Sequence, residues 1–190
     1  MKNIEIHSLA ACCNNWGIGV NGSLPWRLRK EMAWFTKASI GSPPEGKKNA
    51  VVVGRKNWDS IPKSFKPMKN RYNIVMSRTL PLNTPGADAV VRSFEDLIQL
   101  LSCEQWQNKI HEVINIGGAD IYKVVQESPY CGKVYLTRVM ADFKCDTFFP
   151  KLDETFTLLP TDQFDNVPQG VHEENGIKWK VEVYQKNKPS

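Results

Sequence analysis

In the stretch SLPWRLRKEMAWF (residues 23–35), one acid stands out by its placement. Leu28, Met32 and Phe35 fall at i, i+4 and i+7, the spacing of a helix that buries one face. At about 100° per residue, Arg29 and Lys30 point away from that face, and Arg27 lies beyond its edge. Glu31 comes three residues after Leu28 and four before Phe35, so it borders the apolar stripe. A carboxylate in poor solvent needs a partner. A protonated or amino-bearing heterocycle would serve, and so would a buried arginine or a backbone amide.

The other chemistry-bearing positions are glycines and cations at the ends of apolar runs. GIGVNG (17–22) matches G-x-G-x-x-G, but Pro25 delays the helix that should start on its last glycine. No second strand carries a ribose-binding acid in the expected place. The segment reads instead as a flexible loop leading into the helix of Glu31, able to close over a ligand. Gly117 and Gly118, in INIGGADIY, sit between an apolar strand and a helix. There a ligand can approach the backbone, and a helix N-terminus offers N–H groups to phosphate; a plain tight turn is the alternative. Gly54, Arg55 and Lys56 follow VVV, and Ser77 and Arg78 follow IVM. Ligands of parallel α/β sheets collect at the carboxyl ends of strands. Basic residues where NAD sites use an acid suggest a 2′-phosphate, and so NADPH.

These positions need a frame. Strands are predicted at 4–11, 49–53, 72–77, 110–116, 133–141 and 178–185, with weaker ones near 88–91 and 155–159. Helices fit 26–40, 93–102 and 118–127, with a short turn at 57–62. Ser93 makes an N-cap with Asp96 in the first turn. Continuous apolar runs such as NAVVV suit a sheet covered on both faces. Strands alternating with helices imply an α/β sandwich with a mostly parallel sheet, ending antiparallel where the last two strands lack a helix between them.

With 190 residues, 41% hydrophobic and 24% charged, the composition suits one soluble domain. No run approaches a membrane span, and the N-terminus does not read as a signal peptide. Five cysteines without a C-x-x-C pair, and only three histidines, argue against a metal site and for free thiols in a reducing cytoplasm. The net charge of +5 suits an anionic partner. The bases come in small groups beside glycines, not as a stripe interleaved with aromatics, so nucleic acid is not expected.

Seven segments extend the pattern: GIGVNGSLPW, EMAWF, VVVGRKNWDSIP, PMKNRYNIVMSR, INIGGADIY, VYLTRV and DTFFP. In this order the chain resembles the dihydrofolate reductase family over nearly its whole length. The resemblance implies a single domain over 1–190. Its fold would be a three-layer α/β sandwich with a central mixed, mostly parallel eight-stranded sheet and about four helices. It implies NADPH-dependent reduction of 7,8-dihydrofolate to tetrahydrofolate in one-carbon metabolism, for thymidylate and purine synthesis. It also implies binding of antifolates and a cytoplasmic monomer; an NADPH reductase of another pterin-like or pyrimidine heterocycle keeps the same fold.

Carried over by position, Glu31 holds the pterin through ring nitrogen 3 and the 2-amino group. Thr137 supports that carboxylate, Trp26 holds a water beside it, and Leu24 completes the catalytic set. Leu9, Ala10, Met32, Phe35, Ile61, Phe65, Met68 and Ile116 line the folate cleft, and Arg71 grips the α-carboxylate of the folate glutamate. Arg55, Ser77 and Arg78 match the 2′-phosphate cluster, with Thr79 and Arg92 on the same cofactor side. Gly54, Lys56, Asn57, Gly117, Gly118, Ala119, Asp120, Ile121 and Tyr122 match pyrophosphate and nicotinamide contacts. Ala10, Ile18, Gly19, Gly22, Ser23 and Leu24 match nicotinamide and loop contacts. The Gly117–Gly118 bond is expected to be cis. Asn57 replaces the family's usual Thr at a helix start, where Asn can still cap. Four residues separate Trp26 from Glu31, as in bacterial forms; vertebrate forms have one more. Asn115 is a polar residue in a buried strand, for which the sequence offers no account.

Overall fold

The apolar runs become the middle of a sheet. A computed structural model describes residues 3–189. Its strands are β1 (Ile6–Cys12), β2 (Gly17–Gly19), β3 (Lys48–Gly54), β4 (Arg71–Met76), β5 (Ala89–Val91), β6 (Ile110–Asn115), β7 (Cys131–Val139), β8 (Thr147–Phe148), β9 (Phe156–Leu159), β10 (His172–Glu174) and β11 (Ile177–Lys186). Its helices are α1 (Arg29–Ile40), α2 (Arg55–Ser60), α3 (Phe94–Ser102), α4 (Glu104–Gln107) and α5 (Ala119–Glu127). The main sheet runs β10-β11-β7-β1-β6-β3-β4-β5, with β9 added against β11. Pairs from β7 through β5 are parallel; β11 pairs antiparallel with β7, β9 and β10. This is the expected mixed, mostly parallel sheet; the eight expected strands, β9 near 155–159 among them, all lie in it, and β10 at its edge was not expected.

Alternation along β3 divides the core. Val51 and Val53 face one cluster with Leu28 just before α1, Trp34 of α1 and Trp58 of α2. Ala50 and Val52 face the other, with Leu97 and Leu101 of α3 and Ile121 and Val125 of α5. Side chains of a strand alternate faces, so continuous apolar sequence is what a sheet between two helical layers requires. Ser93 caps α3 as expected, its Oγ accepting from Asp96 N at 3.1 Å.

Three expectations change. Among the described residues the α-helices number five, because the short α4 has no apolar period to announce it. The helix expected at 26–40 starts at Arg29. Leu28 is extended and offers no side-chain cap. The first N–H groups of α1 donate instead to the Glu174 carboxylate, from Arg29 N at 2.8 Å and Lys30 N at 2.9 Å. A carboxylate at a helix N-terminus satisfies free donors and the helix dipole together, but this one lies over 140 residues away. The buried face of α1 is also rotated. Leu28, Glu31 and Trp34 are buried, whereas Met32 is 45% exposed. The buried face is therefore centred on Glu31 and Trp34, and Glu31 lies inside it rather than at its border.

Candidate active site

Glu31 is 3% exposed. Its Oε1 accepts a hydrogen bond from Thr137 Oγ1 at 3.0 Å. Thr137, itself buried, lies opposite Ala11 in the β1–β7 ladder, so the carboxylate sits over the middle of the sheet. No lysine, arginine or histidine among the described residues forms an ion pair with it. Burial pushes its pKa up to about 7, against the smaller opposing effect of the Thr137 hydroxyl. Trp26 is buried beside Phe143, ring centroids 5.7 Å apart, and its Nε1 has no hydrogen-bond partner.

Leu9, Trp26 and Ile116 are buried in one cluster, against which Phe35, Ile61 and Met68 pack half-buried. Ala10 belongs to a second cluster with Tyr122, with Ile18 packed against it. Leu24, Met32 and Phe65 are exposed at 44%, 45% and 68%. Large apolar side chains left in water mark contact surfaces when they gather. Arg71 is half-buried. Its Nη1 donates to Ser39 Oγ at 2.9 Å and its Nε to Lys69 O at 2.9 Å, which orients the guanidinium while leaving donors unused. Burial lowers its pKa from the usual arginine value.

The glycines and cations line up along the carboxyl ends of β1, β6, β3, β4 and β5, which are neighbours in that order. Four strand spacings make this edge about 19 Å long. The Gly117–Gly118 bond is cis, as expected. Gly54 N donates to Gly117 O at 2.8 Å, joining two of the strand ends. Gly117 has φ +97, and a Cβ there would lie 2.6 Å from the Tyr122 ring, so both backbone and packing demand glycine. Tyr122 spends its hydroxyl on Leu9 O at 2.8 Å. Burial raises its pKa, and the nearby Glu31 adds to the effect. Gly118 caps α5 without a side chain, and Ala119 and Asp120 begin the helix, with Asp120 exposed.

Asn115 now has an account. Its Oδ1 accepts from Gly117 N at 3.0 Å, and its Nδ2 donates to Ser8 Oγ at 3.3 Å and Ile121 O at 3.4 Å. It fastens the glycine turn to β1 and α5, and a buried amide with its hydrogen bonds made is stable in a core. Asn57 is not a cap. Gly54 occupies the N-cap of α2, and Asn57 Nδ2 reaches Ile116 O at 3.4 Å, beside Gly118.

Arg55 is exposed, with Nη1 on Thr79 Oγ1 at 3.2 Å and Nε 3.5 Å from Asp59. Lys56 and Arg78 are exposed as well. Ser77 is buried, and its Oγ accepts from Thr79 N at 3.2 Å and Leu80 N at 3.0 Å. Arg92 Nη1 bonds to Ser77 O at 3.1 Å and also to Leu80 O. Ser77 and Arg92 therefore shape the turn that presents Arg78 and Thr79 to solvent, beside Arg55 at the start of α2.

Gly19 ends β2, and Gly22 and Ser23 lie in the loop after it. Val20 and Ser23 pair with each other, and Gly22 has φ +77. Asp146 holds this loop from the other side: its N donates to Gly19 O at 3.0 Å, and its Oδ2 accepts from Asn21 N at 2.9 Å. Neither Asp146 nor Glu174 was picked out from sequence, because each acts on backbone far away along the chain.

The fold and the cleft define a class: an α/β sandwich whose polar and glycine-rich loops gather at the carboxyl ends of a parallel sheet. The model of the family described as dihydrofolate reductase matches residues 5–186. A dihydrofolate reductase from Gallus gallus is 41% identical over 185 residues, 96% of this chain and 97% of that protein. One from Bos taurus is 41% identical over 184 residues, again 96% of this chain and 97% of its own. The solved structure of Schistosoma mansoni dihydrofolate reductase superposes with a TM-score of 0.84 at 36% identity, covering 97% of this chain and all of that one. The chain belongs to the dihydrofolate reductase family and is an oxidoreductase using a nicotinamide cofactor.

Proposed function

We propose that this protein reduces 7,8-dihydrofolate to tetrahydrofolate with NADPH, and that Glu31 anchors and polarises the pterin. The observation that carries this reading is the buried carboxylate itself. It faces a cluster of apolar residues, has a hydroxyl partner in Thr137 and has no cation of its own among the described residues. A heterocycle presenting a ring N–H and an amino group supplies the donors and the positive charge that such an acid lacks. The orphaned Trp26 Nε1 supports a bridging water or ligand acceptor beside it. Arg71 fits a terminal carboxylate, since its fork is oriented yet retains free donors.

The strand ends fit NADPH. Gly117 and Gly118 shape the turn between β6 and α5, the start of α5 supplies N–H groups to phosphate, and exposed Arg55, Lys56 and Arg78 suit the extra phosphate. The cofactor supplies a hydride when bound. The chain then has three tasks: to hold ring and donor together between β1 and β6, to exclude water with the loop through Leu24, and to favour a proton on pterin nitrogen 5. Glu31 serves the last by its charge, which raises the proton affinity of the bound ring, with water as carrier. We place the enzyme in the cytoplasm as a single-domain monomer over residues 1–190; five free cysteines support a reducing compartment.

The test follows NADPH absorbance on addition of dihydrofolate, with folate and NADH in parallel. Rapid loss with NADPH and dihydrofolate is expected, and its absence at saturating cofactor would overturn the reading.

A further inference from the structure

Two cysteines far apart in sequence meet beside the loop. Cys13 lies just after β1, and Cys145 just before β8. Their sulfurs are 3.8 Å apart. Cys13 is 1% exposed, and its Sγ donates to Asn15 Oδ1 at 3.0 Å; the same oxygen accepts from Gly17 N at 3.1 Å. Cys145 is only half-buried, so a small reagent can reach it. Gly17 makes room for the pair, because a Cβ there would lie 2.2 Å from Cys145 Sγ.

The segments that carry these sulfurs are held together by separate hydrogen bonds. Asn14 N donates to Ala141 O at 3.1 Å, Asn14 Nδ2 to Asp142 Oδ1 at 3.0 Å, and Asp146 N to Gly19 O at 3.0 Å. The short β2–β8 ladder, Gly17 opposite Phe148 and Gly19 opposite Thr147, and Phe149 N donating to Trp16 O at 2.8 Å join the same segments; a ladder of two or three residues opens locally. A covalent link would hold it shut. The sulfurs need to close by roughly 1.8 Å to reach bonding distance, within reach of side-chain rotation at half-exposed Cys145.

We propose that Cys13 and Cys145 form a reversible redox site whose disulfide fastens the loop of residues 13–23 to the segment 141–149 and slows turnover. The oxidant is a small-molecule disulfide such as oxidised glutathione. The Cys145 thiolate attacks one of its sulfurs and expels one glutathione thiolate. The deprotonated Cys13 sulfur then attacks Cys145 Sγ, forming the protein disulfide and releasing the second thiolate. The two protons lost by the cysteines are taken up by the two glutathione thiolates, and two electrons pass from the pair to the reagent. The effect on turnover rests on the proposed role of the loop in covering the reacting ring; the cross-link does not.

The test treats the full chain with oxidised glutathione. It then follows non-reduced peptide mapping, hydrogen exchange over residues 13–23 and NADPH-dependent turnover, before and after dithiothreitol. A Cys145→Ser variant runs in parallel. The expected result is a peptide joining Cys13 to Cys145, slower exchange in the loop and a several-fold drop in turnover, all reversed by reductant. The variant should keep its basal turnover and show none of these changes. Disulfides confined to Cys12, Cys103 or Cys131 would overturn the site. A Cys13–Cys145 link with unchanged exchange and turnover would overturn the clamp. Failure of the proposed activity is distinct, because untreated protein would then show no turnover at all.

Discussion

Replacing Glu31 with glutamine separates its chemical role from its structural one. In the folded chain its pKa rises from 4.5 to about 7, chiefly through burial. That rise makes ionisation about 3 kcal/mol harder in the folded state than in the unfolded one. The folded pKa lies above the unfolded, so the folded chain holds the extra proton between those values. Wild-type stability therefore falls as pH climbs from about 4.5 to about 7 and levels off above. Glutamine does not titrate, and its amide oxygen can still accept from Thr137. Glu31→Gln should match the wild type near pH 4.5 and exceed it by up to about 3 kcal/mol at pH 8. Its turnover at neutral pH should fall by roughly 10²–10⁴-fold and recover in part at lower pH, where solvent protonates the substrate unaided. Urea unfolding at several pH values, with a pH–rate profile, provides both readings. A variant less stable than the wild type at pH 8, or one retaining full turnover, would refute the reasoning.

Other perturbations test single contacts. Arg55→Ala should raise the NADPH Michaelis constant about tenfold or more and leave that for NADH nearly unchanged, since a charge-assisted phosphate bond is worth roughly 1.5–3 kcal/mol; equal losses with both would remove the assignment. Arg71→Leu should weaken dihydrofolate binding while a pterin without the glutamate tail binds almost as before, as measured by fluorescence titration. Glu174→Ala removes the acceptor for Arg29 N and Lys30 N, and chemical unfolding should record a small loss of stability, as for other helix caps at a surface. Gly117→Ala sets a side chain against the Tyr122 ring at a positive φ, and thermal unfolding should show a much larger loss than for Gly46→Ala, where φ is also positive but no atom lies within 4 Å of the added Cβ.

The central strands were legible because their runs are apolar throughout, as a sheet buried on both faces requires. Ser93 was legible because its cap is local. The start of α1 was not, because its cap comes from Glu174 across the sheet. Glu31 lies deeper than its period placed it: Leu28, Glu31 and Trp34 are buried while Met32 is exposed, and a 3.6-residue period alone does not say where the buried face is centred. Asn115 made no sense as a strand residue until Gly117, Ser8 and Ile121 came within reach of its amide. The distinction between Ser77 and Arg92, which build a turn, and Arg78, which it presents, also needed the turn itself. The shared signal of these misses is a polar side chain serving backbone far away in sequence, which periodicity does not record.

The proposed role of Glu31 requires a buried carboxylate with no cation of its own that gains one from the bound heterocycle. The most direct measurement is the titration of the Glu31 carboxyl carbon by NMR, in the free protein and with a bound 2,4-diaminopyrimidine antifolate. The expected result is a pKa near 7 in the free protein, falling well below that on binding as the charged ring takes its place beside the acid. An ordinary carboxylate value in the free protein, or a value unmoved by the ligand, would contradict it.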